Sequence, residues 1–297
     1  NVGSILNRGF EFSATLRGNK GGFNYSVTGN LATLHNEVLD VVGAPIVAGG
    51  VEFGSATLTE VGHPVGSFYG YKMMGIFQNE GEIDAYTHNG EKIQPNAKPG
   101  DIKWADLTPD GVINSDDRYF MGSPIPDFTY GLSANLEYKG FDMSLFFQGV
   151  HGNEIYAELT CWMQGMHNNF NTGKEALDRW TPSNPDTDIP RAVRNDPNGN
   201  ISKISDRYIQ DGSYFRLKNA SLGYTLPKNV TDLLHISNLR VYLTGRNLLT
   251  FSSYPYYDPE IGSGAVGTGG TINTSRGIDN GYYPQARTFI LGVQLDF

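Results

Sequence analysis

The stretch that decides the fold is Arg287-Thr-Phe-Ile-Leu-Gly-Val-Gln-Leu-Asp-Phe297. Phe289, Leu291, Val293, Leu295 and Phe297 fall on every second position, so in an extended strand they share one face. Thr288, Ile290, Gly292, Gln294 and Asp296 take the other face. One side suits an apolar phase and the other is largely polar. The apolar row continues to the last residue, where a soluble chain more often frays into polar residues.

The same alternation recurs upstream. Phe10, Phe12, Ala14 and Leu16 alternate with Glu11, Ser13 and Thr15; after a turn at Gly18 to Gly22 the row resumes at Phe23, Tyr25, Val27, Gly29 and Leu31. Phe128 to Tyr138 and Phe141 to Phe147 form the clearest hairpin, reversing at Lys139-Gly140. Ala220, Leu222, Tyr224 and Leu226 make another row, and Leu239, Val241 and Leu243 alternate with Arg240, Tyr242, Thr244 and Arg246. These patterns predict seven strands, near 9–17, 23–33, 126–138, 141–149, 213–226, 238–250 and 286–297. Several run to about ten residues, the length a tilted strand needs to cross a bilayer. Short connections alternate with long ones at 34–125, 150–206 and 251–285, the asymmetry expected of a transmembrane barrel with short periplasmic turns and long outer loops. The expected fold class is therefore all-β, an antiparallel transmembrane β-barrel segment, with 1–297 as part of one barrel. If Phe297 is periplasmic, the parity of the strands puts all three short turns on the periplasmic side and all three long loops outside.

Composition agrees with this reading. The 37 glycines, 17 tyrosines and 16 phenylalanines suit many strands and turns with aromatic borders. Mean hydropathy is -0.35 and no run approaches a transmembrane helix, neither of which argues against strands that alternate. The single Cys161 has no disulfide partner within the chain. A net charge of -9 without a basic run argues against nucleic acid. Asn1 to Phe10 lacks the basic head and apolar core of a signal peptide, so an exported chain is expected to have lost its start. The six histidines show no HExxH spacing and there is no GxSxG elbow, so no enzyme is expected.

Two features of the long connections are candidate sites. Asp106, Thr108, Asp110, Val112, Asn114 and Asp117 follow the ligand spacing of an EF-hand loop, with Gly111 at the turn and Asp in place of the usual final Glu. This predicts a structural calcium site with the Val112 carbonyl as one ligand; the alternative is a set of Asx turns in an exposed loop. Trp162, Trp180, Tyr256 and Tyr257 are candidate substrate contacts, or the small core of a long loop. Thr172-Gly173-Lys174-Glu175 predicts the start of a short helix reaching Trp180.

Several segments together resemble a known family: Gly66 to Gln78, Asp106 to Asp117 with Gly122 to Pro126, Arg179-Trp180-Thr181-Pro182, Arg216-Leu217-Lys218-Asn219, Gly245-Arg246-Asn247-Leu248, Asp258-Pro259-Glu260 and the terminal strand. Their types and order are similar to those of the SusC/RagA-like TonB-dependent transporters, and Gly292, Leu295 and Phe297 resemble the C-terminal insertion signal of outer-membrane barrels. The resemblance implies the last strands of a barrel of about 22 strands, in the outer membrane of a Gram-negative bacterium. It further implies a plug and remaining barrel on the same transporter, energy from the TonB complex, outer-membrane lipid as solvent, and a SusD-like surface lipoprotein as partner. The cargo would be oligosaccharides or peptides. A passive porin-like channel and a secreted β-sandwich glycan-binding protein are the alternatives.

Overall fold

A computed structural model describes residues 3–167, 170–262 and 273–296. Its frame is one antiparallel sheet of seven strands: β1 (Glu11–Lys20), β2 (Phe23–Thr33), β3 (Phe128–Tyr138), β4 (Phe141–His151), β5 (Tyr214–Thr225), β6 (Asn238–Ser252) and β7 (Thr288–Asp296). Each strand pairs with the next in sequence, so the sheet is an unbroken meander. The turns Gly21-Gly22 and Lys139-Gly140 hold both residues at positive φ (62° and 84°; 48° and 86°), the geometry whose twist matches flanking strands. The first turn is tighter than expected, because Gly18, Asn19 and Lys20 remain in β1.

Register makes the apolar rows continuous. Leu16, Val27, Ala134, Leu145, Ala220, Gly245 and Phe289 lie opposite one another across all seven strands. A row nearer the turns runs Tyr25, Leu136, Met143, Leu222, Leu243 and Leu291. This face is bare: Leu222, Leu243, Leu291 and Phe289 are 53%, 51%, 75% and 70% exposed. Exposed apolar area of that extent marks a surface built for something other than water.

Aromatic rings border it. Phe23, Tyr138, Phe141 and Tyr224 line the turn end, with Phe141 and Tyr224 centred 4.5 Å apart. Phe12, Tyr130, Phe215 and Phe251 line the other end, where Tyr130 and Phe215 stack at 5.8 Å. Tyr130 and Tyr138 are eight residues apart on one strand, which at about 3.3 Å per residue and a tilt of about 40° separates the borders by roughly 20 Å in depth. That is close to the apolar band of about 25 Å on transmembrane barrels. No helix among the described residues is long and apolar enough to cross a membrane.

The opposite face is polar. Thr15, Thr28, Ser133, Asn219, Arg246 and Thr288 share one row with Phe146. Thr15 and Thr28 hydroxyls meet at 2.9 Å, as do those of Ser221 and Thr244. Gly292 lies on this face under the ring of Tyr242, where an added Cβ would sit 2.2 Å from Cζ. Leu295 is on the apolar face opposite Leu239, and Phe297 lies outside the described residues.

The long connections are folded, and they fold together. Gly3–Arg8 and His35–Val41 pair as a continuation of the β1–β2 hairpin beyond its open end. Ile46–Val51, Gly54–Thr59, Ser67–Tyr71 and Arg118–Gly122 form a four-stranded sheet. Glu154–Ala157 pairs with Ile209–Asp211 and, in parallel, with Ile278–Asp279. Phe68, Tyr156, Cys161, Ile204, Tyr208 and Ile278, from all three connections, share one core. The predicted helix before Trp180 is instead a single 3-10 turn, Lys174–Asp178, with Gly173 at its cap and no side-chain cap bond; glycine has no side chain with which to accept from the first amides.

Candidate functional site

The connections meet the polar face of the sheet at the start of β5. There the pairing of β5 with both neighbours skips Lys218, and β6 answers with Asn247 at a φ of 53°. A bulge re-aims side chains. Arg216 is 2% exposed and donates through Nη2 to Asp258 Oδ1 at 2.5 Å, through Nη1 to Glu260 Oε2 at 2.7 Å, and through Nε to Thr250 Oγ1 at 2.9 Å. Lys218 Nζ donates to both Glu260 oxygens, at 2.6 and 2.8 Å. Two cations and two carboxylates thus neutralise one another and fix the segment after β6 onto the wall. Burial would raise the Asp258 carboxyl, but the Arg216 guanidinium and the amides of Glu260 and Gln285 bring it below the usual carboxylate range. A second pair, Arg240 with Asp142 at 2.5 Å, lies on the polar face near the turns.

Neither network was named as a site from sequence. The signal was there in part: two bases at Arg216 and Lys218 and two acids at Asp258 and Glu260 share an i, i+2 spacing and so can match on facing extended segments. The separation of 42 positions between Arg216 and Asp258 hides it.

The aromatic candidates separate. Trp180 is buried, donates from Nε1 to Gln78 Oε1 at 2.9 Å and packs on Gly100, where an added Cβ would meet its ring at 2.3 Å; it belongs to the loop interior. Tyr256 is half-buried, with its hydroxyl 2.7 Å from that of Thr160, and burial raises its phenol above the ordinary value. Trp162, two residues beyond Thr160 in the helix Leu159–Gln164, is half-buried with its ring 5.8 Å from Phe170. Tyr257 is 68% exposed. Thus Tyr256, Tyr257 and Trp162 are on segments joined by one hydrogen bond, and Trp180 is elsewhere.

In the aspartate-rich loop the carboxylates serve the backbone. Asp117 is fully buried; Oδ1 accepts from Leu107 N, Thr108 N and Thr108 Oγ1 at 2.8 to 3.0 Å, and Oδ2 from Asn114 N at 2.8 Å. Asp106 Oδ2 accepts from Gly111 N, and Asp110 from Val112 N and Asn114 Nδ2. Asn114 caps the 3-10 turn Ser115–Asp117 in a reciprocal capping box. Among the described residues no three His, Cys, Asp or Glu side chains gather as a metal site would require. Asp117 is engaged by four donors, an arrangement in keeping with the Asx-turn alternative, while Asp106 Oδ1 is buried without a hydrogen-bond partner.

This arrangement makes the loop acid-sensitive. Burial favours the protonated form of Asp117, yet the Thr108, Asn114 and Leu107 donors outweigh it and hold the pKa below the ordinary value. A depressed folded pKa contributes stability that is present above the unfolded pKa, about 3.9, and is lost as pH falls through the folded value. Asp117→Asn should therefore destabilise the loop at neutral pH by about 1–3 kcal/mol and remove its acid transition. Hydrogen exchange at Leu107, Thr108 and Asn114 measures both; protection unchanged in the variant contradicts the role given to Asp117.

Comparison with known proteins follows the same lines. No protein-family model matches the chain. Along its whole length it is 37% identical to TonB-dependent receptor P26 of Formosa agariphila and 28% identical to TonB-dependent receptor SusC of Bacteroides thetaiotaomicron. It spans 30% and 27% of those two proteins. Among solved structures it superposes on the RagAB peptide transporter with a TM-score of 0.75 at 23% identity, covering all of this chain and 29% of that one. The shared sequence over its full length shows that the chain belongs with the TonB-dependent receptors, of which it spans a part, and the superposition on RagAB shows a shared fold.

Proposed function

We propose that the chain is part of the wall and outer loops of an active importer in the outer membrane of a Gram-negative bacterium. The observation that carries this is the two-faced sheet: an exposed apolar face between two aromatic borders, and a polar face lined by hydroxyls, amides and internally neutralised ion pairs. Lipid meets the first face. The second lines the lumen. The Lys139-Gly140 turn and the C-terminus lie on the periplasmic side, and the folded connections lie outside.

In this reading the receptor has no enzymatic step. Import draws on the TonB complex, through regions of the receptor outside this chain, and a SusD-like lipoprotein closes over the outer loops. The cargo is an oligosaccharide or a peptide. Family membership supports energised import over a passive pore, and the bare apolar face supports a membrane wall over a secreted sandwich.

The test is uptake of cargo by cells producing the full-length receptor, with and without TonB. Import is expected to fall to background without TonB while the receptor stays at its normal level in the outer membrane. Uptake that persists at the same rate would favour the passive channel.

A further inference from the structure

The chain holds three Asn-Gly bonds, Asn89-Gly90, Asn198-Gly199 and Asn280-Gly281. This dipeptide carries a chemistry of its own: the glycine amide nitrogen attacks the asparagine side-chain carbon and closes a five-membered ring, with no glycine side chain to hinder the approach. Whether the attack proceeds depends on what holds that nitrogen and that side chain. At two of the three sites they are held. Gly199 N donates to the Asp196 carbonyl at 3.0 Å. Asn198 is 9% exposed, with Nδ2 donating to Ile102 O and Asn200 Oδ1 and with Oδ1 accepting from Gln94 Nε2. Gly281 N donates to Asp279 Oδ1 at 2.8 Å, and Asp279 is itself buried and accepts the hydroxyl of Tyr254. Ring closure at either site must first break these bonds.

Asn89-Gly90 differs on every count. It is the two-residue loop between Thr87–His88 and Glu91–Lys92, which pair as Thr87↔Lys92 and His88↔Glu91. Both loop residues are exposed, at φ values of 49° and 88°. Among the described residues no group accepts from the Gly90 amide, and the Asn89 side chain makes no hydrogen bond. Nothing lies within 4 Å of the point where a Cβ on Gly90 would sit, so the nitrogen is open on that side. A ladder this short opens locally at little cost, and opening lets the side chain swing onto the nitrogen. We infer that Asn89 is a site of hydrolytic deamidation, a slow self-modification of the 34–125 connection. Gly90 N bonds to Asn89 Cγ as the Cγ–Nδ2 bond breaks, and ammonia leaves with the proton that Gly90 N gives up. Water then opens the ring. Cleavage between Cγ and the nitrogen yields aspartate, and cleavage between the main-chain carbonyl carbon and the nitrogen yields isoaspartate. Neither step oxidises or reduces anything. Both products add a negative charge to a segment that already carries Glu80, Glu82, Asp84 and Glu91, with Lys92 committed to Asp84 at 2.5 Å. Isoaspartate also lengthens the main chain in a loop built for two residues, which works against the pairing of Thr87 with Lys92.

The inference stands apart from import, and its test needs no cargo. Full-length receptor in detergent is incubated at neutral and at mildly alkaline pH, and a second sample is held unfolded in denaturant. After digestion each Asn-Gly peptide is followed by mass spectrometry, with its aspartate and isoaspartate forms separated by chromatography. In the folded receptor Asn89 is expected to convert at least about tenfold faster than Asn198 or Asn280, because each of those gives up hydrogen bonds before the ring can close. Conversion should be faster at alkaline pH, where the attacking amide loses its proton more often. In denaturant the three rates should converge, which assigns the difference to the fold. Asn89→Gln, whose longer side chain would need a six-membered ring, should abolish the fast conversion. A folded-state rate at Asn89 within about tenfold of either other site, or no conversion at Asn89 while the unfolded chain converts, would overturn the inference.

Discussion

Leu145→Arg in the full-length receptor is expected to reduce folding stability in lipid vesicles by about 2–4 kcal/mol. Leu145 lies midway between the two aromatic borders, in the row with Ala134 and Ala220. A guanidinium there has no partner on the apolar face and must be desolvated or drag water into the hydrocarbon. Ser133→Arg, one row position away but on the polar face, places the same group in an aqueous lumen and should cost less than about 1 kcal/mol. Urea titration in vesicles reads the difference. Equal losses for the two variants would mean that the faces are assigned wrongly.

Arg216→Met is the second large effect. The guanidinium is 2% exposed and its partner Asp258 is 9% exposed, so removal strands a buried carboxylate. Breaking a buried pair from one side costs about 3–5 kcal/mol. Because Asp258 and Glu260 lie on a connection while β5 stays paired on both edges, the loss should be local. Limited proteolysis is expected to cleave near residues 253–262 in the variant and not in wild type, with the barrel intact. Replacing both sides, Arg216→Met with Asp258→Leu, should recover much of the protection, since no charge is then left unpaired. A variant as resistant as wild type would show that the network is dispensable.

The seven strands were legible because each has one face in an apolar phase and one in a polar one, which writes a period of two into the sequence. β3 and β4 show this most plainly, and their register follows from a two-residue turn. The same rule explains what could not be read. Gly54–Thr59 and Ser67–Tyr71 are buried on both faces, so no alternation marks them, and 34–125 reads as an aperiodic loop although it holds Phe68, Phe77 and Trp104 in its interior. Gly3–Arg8 was missed for a different reason: it is exposed on nearly every residue and takes its strand form from pairing with His35–Val41.

Site residues were less legible than strands. The spacing of Asp106, Thr108, Asp110, Asn114 and Asp117 also suits a turn in which Asp117 collects backbone donors. Sequence spacing specifies which oxygens are near one another and leaves open whether a cation or an amide occupies the space between them. Trp180 likewise carries the bulk expected of a ligand platform and spends it on Gly100 and Gln78. Tyr257, by contrast, is 68% exposed.

The central claim is that this sheet stands in a membrane with its apolar face outward, and β7 tests it most directly. Single nitroxide labels at positions 289 to 295 of the full-length receptor in lipid vesicles, read by collision with oxygen and with a water-soluble nickel chelate, report the phase at each site. Labels at 289, 291, 293 and 295 are expected to favour oxygen and those at 290, 292 and 294 the chelate, in strict alternation. A flat profile, or nickel access at 291 and 293, would contradict a membrane-spanning strand.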